Sequence, residues 1–243
     1  MHYPVEALSL GTVKYGDSSL IAACFTKQFG LQSYILKGIL SPSGKKKVFK
    51  SFFEPLNILE LEASKNPINR LGYIKEARLG YSYTSIPFDM TKKALIFFLA
   101  EIIHQVVKEE PDSNEQLYSF LFQRMIWLDQ NDEIGLFHIK TMLDLTRYIG
   151  FYPNVYPSED AYFDLESGCM TPFKPKGLFL EGKEKIHWIE ILGMKFDTKT
   201  HIRLNKKEKK TLLDYVVSYF GLHLQQFKSP KSTEILNEIF NST

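Results

Sequence analysis

The spacing of apolar residues changes once along the chain, near Pro87, and this change limits the possible folds. Before Pro87, apolar and polar residues alternate with a period of about two, in short runs separated by Gly, Pro, Ser and Asp. Clusters of turn-forming residues lie at 16–19, 27–30 and 41–44. We therefore predict strands at about 7–14, 19–26, 31–37, 52–62 and 68–75.

Five short strands between residues 5 and 76 suggest a small barrel. This strand count matches the partly open five-stranded OB-fold, whose face and loops commonly hold oligonucleotides. An SH3-like barrel is the close competitor, and the strand count alone does not exclude it. We predict that residues 1–80 form an OB-fold nucleic-acid-binding domain.

After Pro87 the apolar period becomes about 3.6, which is typical of amphipathic helices. We expect Asp89 to cap a first helix. Its apolar face would contain Leu95, Phe98, Leu99, Ile102 and Val106. A second helix is expected to begin at a capping box that starts with Asp112 and to run to about Leu128. Further helices are predicted at 133–149, after Asn205 and from Ser229-Pro230.

Residues 151–200 are the least regular part of the sequence. Four prolines are scattered among Tyr and Phe residues there, so we expect ordered loops and short strands without a helix. The predicted fold class is therefore α+β: a barrel at 1–80, then a mainly α-helical C-terminal domain at 81–243 with an irregular segment at 151–200.

Only two cysteines are present, Cys24 and Cys169, so neither a disulfide framework nor a four-cysteine metal site can be built. No run of the sequence approaches the ~18 consecutive apolar residues of a membrane span. We expect a soluble, cytoplasmic protein that needs no metal or other cofactor.

The common catalytic signatures are absent from this sequence. It contains no phosphate-binding G-x-x-x-x-G-K-[ST] loop, no dinucleotide-binding glycine turn, no nucleophile elbow and no H-E-x-x-H helix. Two E-x-x-H spacings occur, Glu101 with His104 and Glu184 with His187, but solvated side chains explain both pairs without a metal. We expect that the protein is not an enzyme.

The strongest functional signal is a long basic stretch without any acidic residue. Between Asp17 and Glu54 the chain carries six lysines and no Asp or Glu. These lysines are Lys27, Lys37, Lys45, Lys46, Lys47 and Lys50. Residues 1–80 contain 11 basic and 6 acidic residues, so the positive charge of the chain is concentrated there.

A rigid basic surface on a small barrel favours a polyanionic partner, most often nucleic acid. Lysine ammonium groups neutralise phosphates, and the aromatic residues that flank the triplet, Phe49, Phe52 and Phe53, could stack on unpaired bases. The alternative is a solvated loop whose aromatic residues face the barrel core. We take Lys37, Lys45, Lys46, Lys47 and Lys50 as candidate phosphate contacts.

A second basic run lies at 203–210, at the predicted start of a helix. Lysines at that end oppose the helix dipole and would gain from a bound anion, although a solvated helix face is at least as good an interpretation. Lys206, Lys207 and Lys210 are the candidates for a weaker second patch.

With these features in hand, the chain resembles the RecO family of bacterial recombination mediators. The matching N-terminal residues are the run Val13 to Leu20, Phe25-Thr26, Phe29-Gly30, Tyr34, Lys37-Gly38, Pro55-Leu56 and Leu59-Glu60. The helix end at Tyr148 to Pro153 and the tail from Lys228 to Leu236 extend the likeness over nearly the whole chain. Order and spacing match, as well as composition.

The resemblance implies an N-terminal OB-fold joined to a helical domain. It also implies binding of single- and double-stranded DNA, annealing of complementary strands, and help in replacing single-strand-binding protein with recombinase on DNA near the nucleoid. The implied partners are RecR and the C-terminal tail of single-strand-binding protein. Two other hypotheses stay open: an OB-fold RNA-binding protein of translation or ribosome assembly, and an unrecognised nuclease.

The sequence departs from the family at one place. Many relatives carry four cysteines after the helix end that matches Tyr148 to Pro153, whereas this chain has only Cys169 there. We therefore expect that the zinc site is lost, and that aromatic and proline packing holds residues 151–180 instead.

Overall fold

A computed structural model describes residues 2–41, 48–65, 70–196 and 202–242 of the chain. By contacts the chain divides into two compact units, Met1–Asp132 and Glu133–Thr243. The first unit contains a barrel and two helices, and the second contains four helices and a small sheet. The domain boundary at residue 80, which we predicted from the sequence pattern, stays a prediction.

The barrel is built from five strands. They are β1 (His2–Tyr15), β2 (Ser19–Thr26), β3 (Gly30–Leu36), β4 (Ile58–Ser64) and β5 (Leu71–Leu79). The barrel closes in the order β1-β2-β3-β5-β4. Every neighbouring pair is antiparallel except β3 and β5, which run parallel. The predicted fold class, an OB-fold barrel followed by a helical region, is confirmed, and the SH3-like alternative is set aside.

The long first strand reaches both of its neighbours because it bends. β1 pairs with β4 through its N-terminal half and with β2 through most of its length. The register shifts between Ser9 and Gly11, and Gly11 has a φ of 118°, which glycine adopts readily. Such a bulge turns a strand sharply, so one strand can close the barrel on two sides.

Alternate side chains of each strand fill the barrel interior. The core includes Ala7, Leu20, Ala22, Cys24, Tyr34, Leu36, Leu59 and Leu61. Burial raises the pKa of the Cys24 thiol to about 12, which keeps the thiol protonated and unreactive.

The fourth strand begins later than the sequence pattern indicates. The prediction of a strand at 52–62 is wrong over its first residues, because Lys50–Phe53 forms a 3₁₀ turn and β4 starts only at Ile58. Phe53 is buried in the barrel core from this turn. Leu56, with φ 55°, donates its N–H to the Ser9 carbonyl at 2.6 Å. Apolar residues that enter a core from turns give the same pattern as a strand.

The helices of the first unit are α1 (Met90–Glu109) and α2 (Glu115–Gln130). Asp89 caps α1 as predicted, and accepts the N–H groups of Thr91 and Lys92 at 2.7 and 3.0 Å. The apolar face predicted for α1 is buried. None of the helices in the described part of the chain has both the length and the hydropathy to cross a bilayer.

The cap predicted for α2 was wrong by two residues. Asn114, and not Asp112, accepts the N–H of Leu117. The backbone before it is held by the barrel instead: the Pro111 carbonyl accepts the N–H of Leu31 at 2.8 Å. A side chain on Gly30 would meet the Pro111 oxygen at 2.1 Å. Close packing on β3 therefore delays the start of α2.

A buried carboxylate, Asp129 near the end of α2, fixes the connection between β5 and α1. Its oxygens accept the backbone N–H groups of Thr84, Ser85 and Ile86 at 2.9–3.1 Å. The Lys92 ammonium donates to the Ser85 hydroxyl at 2.7 Å. Burial alone would raise the pKa of Asp129, but these hydrogen bonds to the charged form lower it to about 2.

The second unit contains helices around a three-stranded sheet. The helices are α3 (Phe137–Leu145), α4 (Gly182–Gly193), α5 (Lys206–His223) and α6 (Thr233–Ser242). The strands are β6 (Tyr162–Asp164), β7 (Cys169–Thr171) and β8 (Phe179–Leu180), in the order β7-β6-β8.

Three expectations for the second unit need correction. The third helix begins at Phe137, not at residue 133, because Gly135 and a turn from Ile134 precede it. Helix α4 lies in the segment where no helix was predicted, and it buries Trp188. The last helix begins at Thr233, and the Pro230 carbonyl accepts its N–H and hydroxyl in the turn before it.

Aromatic packing holds the segment around residues 151–180. The Tyr219 ring of α5 contacts the rings of Phe151, Phe163 and Trp188 at centroid distances of 5.6–6.3 Å. Its hydroxyl donates to the Phe151 carbonyl at 2.7 Å. A side chain on Gly168 would lie 2.7 Å from that hydroxyl oxygen, so glycine is needed for this close approach.

Candidate nucleic-acid interface

An exposed apolar and aromatic surface crosses the outer face of the barrel, centred on β2 and β3. One row of it follows the strand register, in which Val13 pairs with Ile21, Ile21 with Ile35, and Ile35 with Tyr73. Side chains of paired residues point to the same face of a sheet. We call this surface the barrel platform. It consists of Val13, Tyr15, Ile21, Ile35, Lys37 and Tyr73.

The barrel platform is open to solvent, whereas the other end of the same face is covered. Val13, Tyr15 and Tyr73 are 63%, 49% and 51% exposed. Farther along, Phe25 is fully buried and contacts the ring of Tyr118 from α2. The helices of the first unit therefore cover one end of the outer face and leave apolar side chains exposed at the other. A contiguous exposed patch of this kind commonly marks a binding surface.

Lys37, a residue predicted from the sequence as a phosphate contact, lies within the barrel platform. It follows β3 directly, and its ammonium lies 5.0 Å from the centroid of the Tyr73 ring. This is the distance of a cation–π contact. Both side chains are exposed. The site therefore combines a positive charge with an aromatic face, and both can contact a ligand.

The backbone holds Tyr73 in place. Its N–H donates to the Ser64 hydroxyl at 3.0 Å, and its strand pairs with β3 at Ile35. Sequence reasoning missed Tyr73, Tyr15 and Val13 as site residues. Tyr73 follows the buried Gly72, but Val13 and Tyr15 lie in the exposed C-terminal end of β1, where burial does not alternate. The barrel closure that places Tyr73 next to Lys37 cannot be read from the sequence.

The lysine triplet Lys45, Lys46 and Lys47 lies outside the described residues. Lys50 is exposed at the start of the 3₁₀ turn.

The aromatic residues near the triplet divide between core and surface. Phe53 is buried, Phe52 packs against the core, and Phe49 is half exposed. Of the three rings considered for base stacking, Phe49 is the one exposed to solvent. Phe52 and Phe53 contact the barrel core, as the alternative interpretation of this segment expected.

Lys27 forms ion pairs with two carboxylates of the first unit. Its ammonium lies 3.2 Å from a carboxylate oxygen of Glu6 and 3.4 Å from one of Glu115. Hydrogen bonds to both carboxylates, first to Glu6, raise the pKa of Lys27. This lysine joins the barrel to α2, so it does not belong with the candidate phosphate contacts.

The β4 side of the barrel is acidic. Glu6, Glu60, Glu62 and Glu76 line a groove of about 650 Å³ between β1, β4 and β5, which we call the glutamate groove. Arg78 pairs with Glu60, and Lys75 pairs with Glu62 at 2.8 Å. Lys27 pairs with Glu6 at 3.2 Å, so cations neutralise three of the four glutamates and the groove has little net charge. Lys37 and the exposed apolar surface lie on another side of the barrel, across β2 and β3.

The second basic run lies at the start of α5 in the second unit. Lys206, Lys207 and Lys210 are exposed. A capping box closes this helix end: Asn205 accepts the N–H of Glu208, and the Glu208 carboxylate accepts the N–H of Asn205. The Glu208 carboxylate already supplies a negative charge to the helix N-terminus, which weakens the case for a phosphate at that point.

The segment at 151–180, where we expected from the sequence that a zinc site is lost, has few cysteine or histidine ligands for zinc. Residues 151–180 contain one cysteine and no histidine, and a structural zinc site needs four such ligands. Across the described ranges, no group of three or more His, Cys, Asp and Glu residues is placed to hold a metal ion. In the second E-x-x-H pair, Glu184 with His187, the His187 ring nitrogen Nδ1 lies 3.2 Å from a carboxylate oxygen of Glu190.

Comparison with known proteins agrees with these observations. The family model "Recombination protein O N terminal" matches residues 1–83, and "Recombination protein O C terminal" matches residues 87–166. Three curated relatives are each named DNA repair protein RecO. The protein of Flavobacterium psychrophilum is 34% identical, over 99% of this chain and 100% of the relative.

The protein of Christiangramia forsetii is 35% identical over 97% of this chain and 98% of its own, and that of Bacteroides fragilis is 32% identical over 96% of both. The barrel, the helical region and these full-length likenesses lead to one conclusion: the chain belongs to the RecO family of DNA repair proteins.

Proposed function

We propose that this protein is a non-enzymatic DNA-binding recombination mediator, which binds and anneals single-stranded DNA and assists recombinase loading in recombinational repair. The observation that carries the proposal is the contact of Lys37 with the exposed Tyr73 ring on the barrel platform. An ammonium group next to an open aromatic face suits a nucleotide, because one group contacts phosphate and the other contacts a base.

Lys37, Lys45, Lys46, Lys47 and Lys50 are the proposed phosphate contacts of the barrel. Lys206, Lys207 and Lys210 form the weaker second patch. Neutralising phosphates gives affinity that does not depend on base sequence, as a mediator acting on any damaged site requires.

The proposed partners are single- and double-stranded DNA, RecR, and the C-terminal tail of single-strand-binding protein, with the protein acting at the nucleoid. The likeness to the family supports this proposal of partners. Because the sequence contains no nucleotide-binding loop, annealing is expected to proceed without a nucleoside triphosphate or other cofactor.

Charge reversal tests the phosphate contacts. Changing Lys45, Lys46 and Lys47 together to Glu should weaken oligonucleotide binding. It should also reduce the slope of log affinity against log salt concentration by roughly 0.7 per lost phosphate contact on a single strand. The matched control reverses the exposed lysines Lys108, Lys176 and Lys183, which changes the net charge equally. An unchanged slope in the first variant would show that the triplet does not contact phosphate.

Paired titrations with DNA and RNA of one sequence test the choice of nucleic acid. RNA alone offers the 2′-hydroxyl, so a protein adapted to RNA binds that strand more tightly. A mediator of DNA repair should bind the DNA strand at least as tightly and should anneal complementary DNA strands. A clear preference for RNA, without annealing of DNA, would favour the RNA-binding alternative.

A further inference from the structure

We propose that Tyr83 is a positioning residue for DNA binding, because its hydroxyl holds the backbone segment that presents Lys50 to a phosphate. Tyr83 lies in the connection between β5 and α1 and acts through the backbone of Leu56. The inference rests on the proposed function, in which Lys50 is one of the phosphate contacts of the barrel.

Leu56 has a backbone conformation that is costly for a residue with a side chain. Its φ is 55°, in the left-handed region, where the Cβ atom of an L-residue lies too close to the following carbonyl oxygen. Among the residues that the structure describes, every other positive φ belongs to a glycine. Such a conformation persists only where the surrounding structure holds it, and this kind of strain is concentrated at functional sites. The contacts of Leu56 therefore identify the residues that hold this segment.

Two hydrogen bonds of 2.6 Å hold Leu56. Its N–H donates to the Ser9 carbonyl, and its own carbonyl accepts the Tyr83 hydroxyl. The side chain of Leu56 is fully buried. Because Ser9 lies on β1 and Tyr83 follows β5, the two bonds tie Leu56 to two separate parts of the first unit.

The hydrogen bonds continue from Leu56 to the 3₁₀ turn Lys50–Phe53. The Ser9 hydroxyl donates to the last carbonyl of this turn at 3.0 Å. The side-chain amide of Asn57 donates to two further carbonyls of the turn, both at 3.1 Å. Since Asn57 follows Leu56 directly, a change in the Leu56 backbone would move the amide that holds the turn. The position of the turn therefore depends on the strained residue.

Lys50 is the first residue of this turn, and its side chain is exposed. The turn has no side-chain cap at its N-terminal end, so tertiary contacts hold it in place. Phe53 anchors its other end in the barrel core. A lysine whose backbone is fixed before binding loses less conformational entropy when it contacts a phosphate. The bond from Tyr83 to Leu56 thereby contributes to DNA affinity without touching DNA.

The experiment compares Tyr83→Phe, Lys50→Ala and the variant with both changes in binding of a single-stranded oligonucleotide. Lys50→Ala should weaken binding several-fold and reduce the slope of log affinity against log salt concentration by roughly 0.7, the value for one phosphate contact. Tyr83→Phe removes only the hydroxyl, and should weaken binding and reduce the slope by the same amount or less. The double variant should bind no more weakly than Lys50→Ala alone, because both changes act through one contact.

Amide hydrogen exchange supplies a direct measure of the local structure. Tyr83→Phe should speed the exchange of the Leu56 and Asn57 amides, because the segment opens more often without its clamp. The amides of β2, on another part of the barrel, should exchange as in the unchanged chain.

Tyr81→Phe is the matched control, because it removes a tyrosine hydroxyl of the same connection that donates to Asp129 at 3.3 Å and not to the turn segment. It should leave oligonucleotide affinity and the salt slope unchanged. The inference is overturned if Lys50→Ala weakens binding and Tyr83→Phe does not, or if the effects of the two changes add. Unchanged binding and an unchanged slope in Lys50→Ala would overturn both the phosphate contact proposed for Lys50 and this inference.

Discussion

Ser85 donates hydrogen bonds to Asp129 from both its backbone and its side chain. The Asp129 carboxylate accepts the N–H of Ser85 at 2.9 Å, and the Ser85 hydroxyl donates to the backbone carbonyl of Asp129 at 2.5 Å. These bonds attach the segment after β5 to the end of α2. One buried carboxylate therefore helps to fix the barrel to its two covering helices within the first unit, together with the hydrogen bond from Leu31 to Pro111.

Replacing Asp129 with Asn should lower the free energy of unfolding at pH 7 by about 2 kcal/mol. The folded pKa of about 2 lies below the ordinary value of 3.8, and each pKa unit corresponds to about 1.4 kcal/mol. Because the folded pKa is depressed, this stabilisation is complete above the unfolded pKa and is lost as the pH falls through 4 to 2. Urea unfolding at a series of pH values measures both effects.

The control for this change is Asp132→Asn, because Asp132 is fully exposed although it lies 3.5 Å from the Lys92 ammonium. Because the Asp132 carboxylate is fully solvated, water can replace its contact with Lys92, so this change should destabilise the protein much less than Asp129→Asn. Equal effects of the two changes would contradict the role given to Asp129.

Replacing Gly30 with Ala should destabilise the first unit by about 3 kcal/mol or more, because the cost of overpacking adds to that of a left-handed backbone. Gly30 has a φ of 66°, and an added Cβ would lie 2.1 Å from the Pro111 carbonyl oxygen, where backbone must move. Gly16→Ala is the matched control: its φ is 63°, but no atom lies within 4 Å of the added carbon. Gly16→Ala should therefore lower the free energy of unfolding only by about 1–2 kcal/mol, the cost of a left-handed backbone at alanine. Thermal unfolding of both variants tests the difference.

Lys140 and Asp144 form a buried ion pair on α3. Their side chains are almost fully buried, with Nζ and Oδ1 2.5 Å apart, and the Lys140 ammonium also donates to the Leu192 carbonyl at 3.3 Å. Lys140→Met should cost about 3–5 kcal/mol, because it leaves a buried carboxylate without its cation. The double change Lys140→Met with Asp144→Leu should recover much of that loss. A double variant less stable than the single one would contradict this account.

Removal of divalent metals should leave the unfolding midpoint of this chain unchanged. Ring contacts of Phe151, Phe163 and Trp188 with Tyr219 hold this part of the chain together, so we expect it to stay folded without a metal ion. Thermal unfolding with and without a chelator tests this expectation. Elemental analysis that finds one equivalent of zinc in purified protein would overturn it.

Local patterns were sufficient to predict much of the fold. The alternation before Pro87 located β2 and β3 to within one residue at each end, but it missed the first five residues of β1 and the last four of β5. The side-chain chemistry of Asp89 and Asn205 placed two helix starts. Patterns failed where burial came from irregular backbone, as at Phe53. They also failed at α4, whose Trp188, Ile191 and Leu192 have helical spacing but follow a proline-rich segment.

The candidate site was only partly accessible to sequence reasoning. Lys37 was found through the absence of acidic residues around it, which is a property of composition. Tyr73 was not predicted as a site residue. The parallel pairing of β3 with β5 brings it next to Lys37, which lies 36 positions earlier in the sequence. Long-range pairing of this kind leaves no signal in local periodicity.

The ion pairs of the glutamate groove bear on how a polyanion would approach the first unit. Lys27, Lys75 and Arg78 neutralise three of the four glutamates, so the groove keeps little net negative charge. A polyanion that approaches within about a Debye length would therefore feel only weak steering from this side. Productive encounter on the proposed surface would depend on short-range contacts at Lys37 more than on long-range attraction.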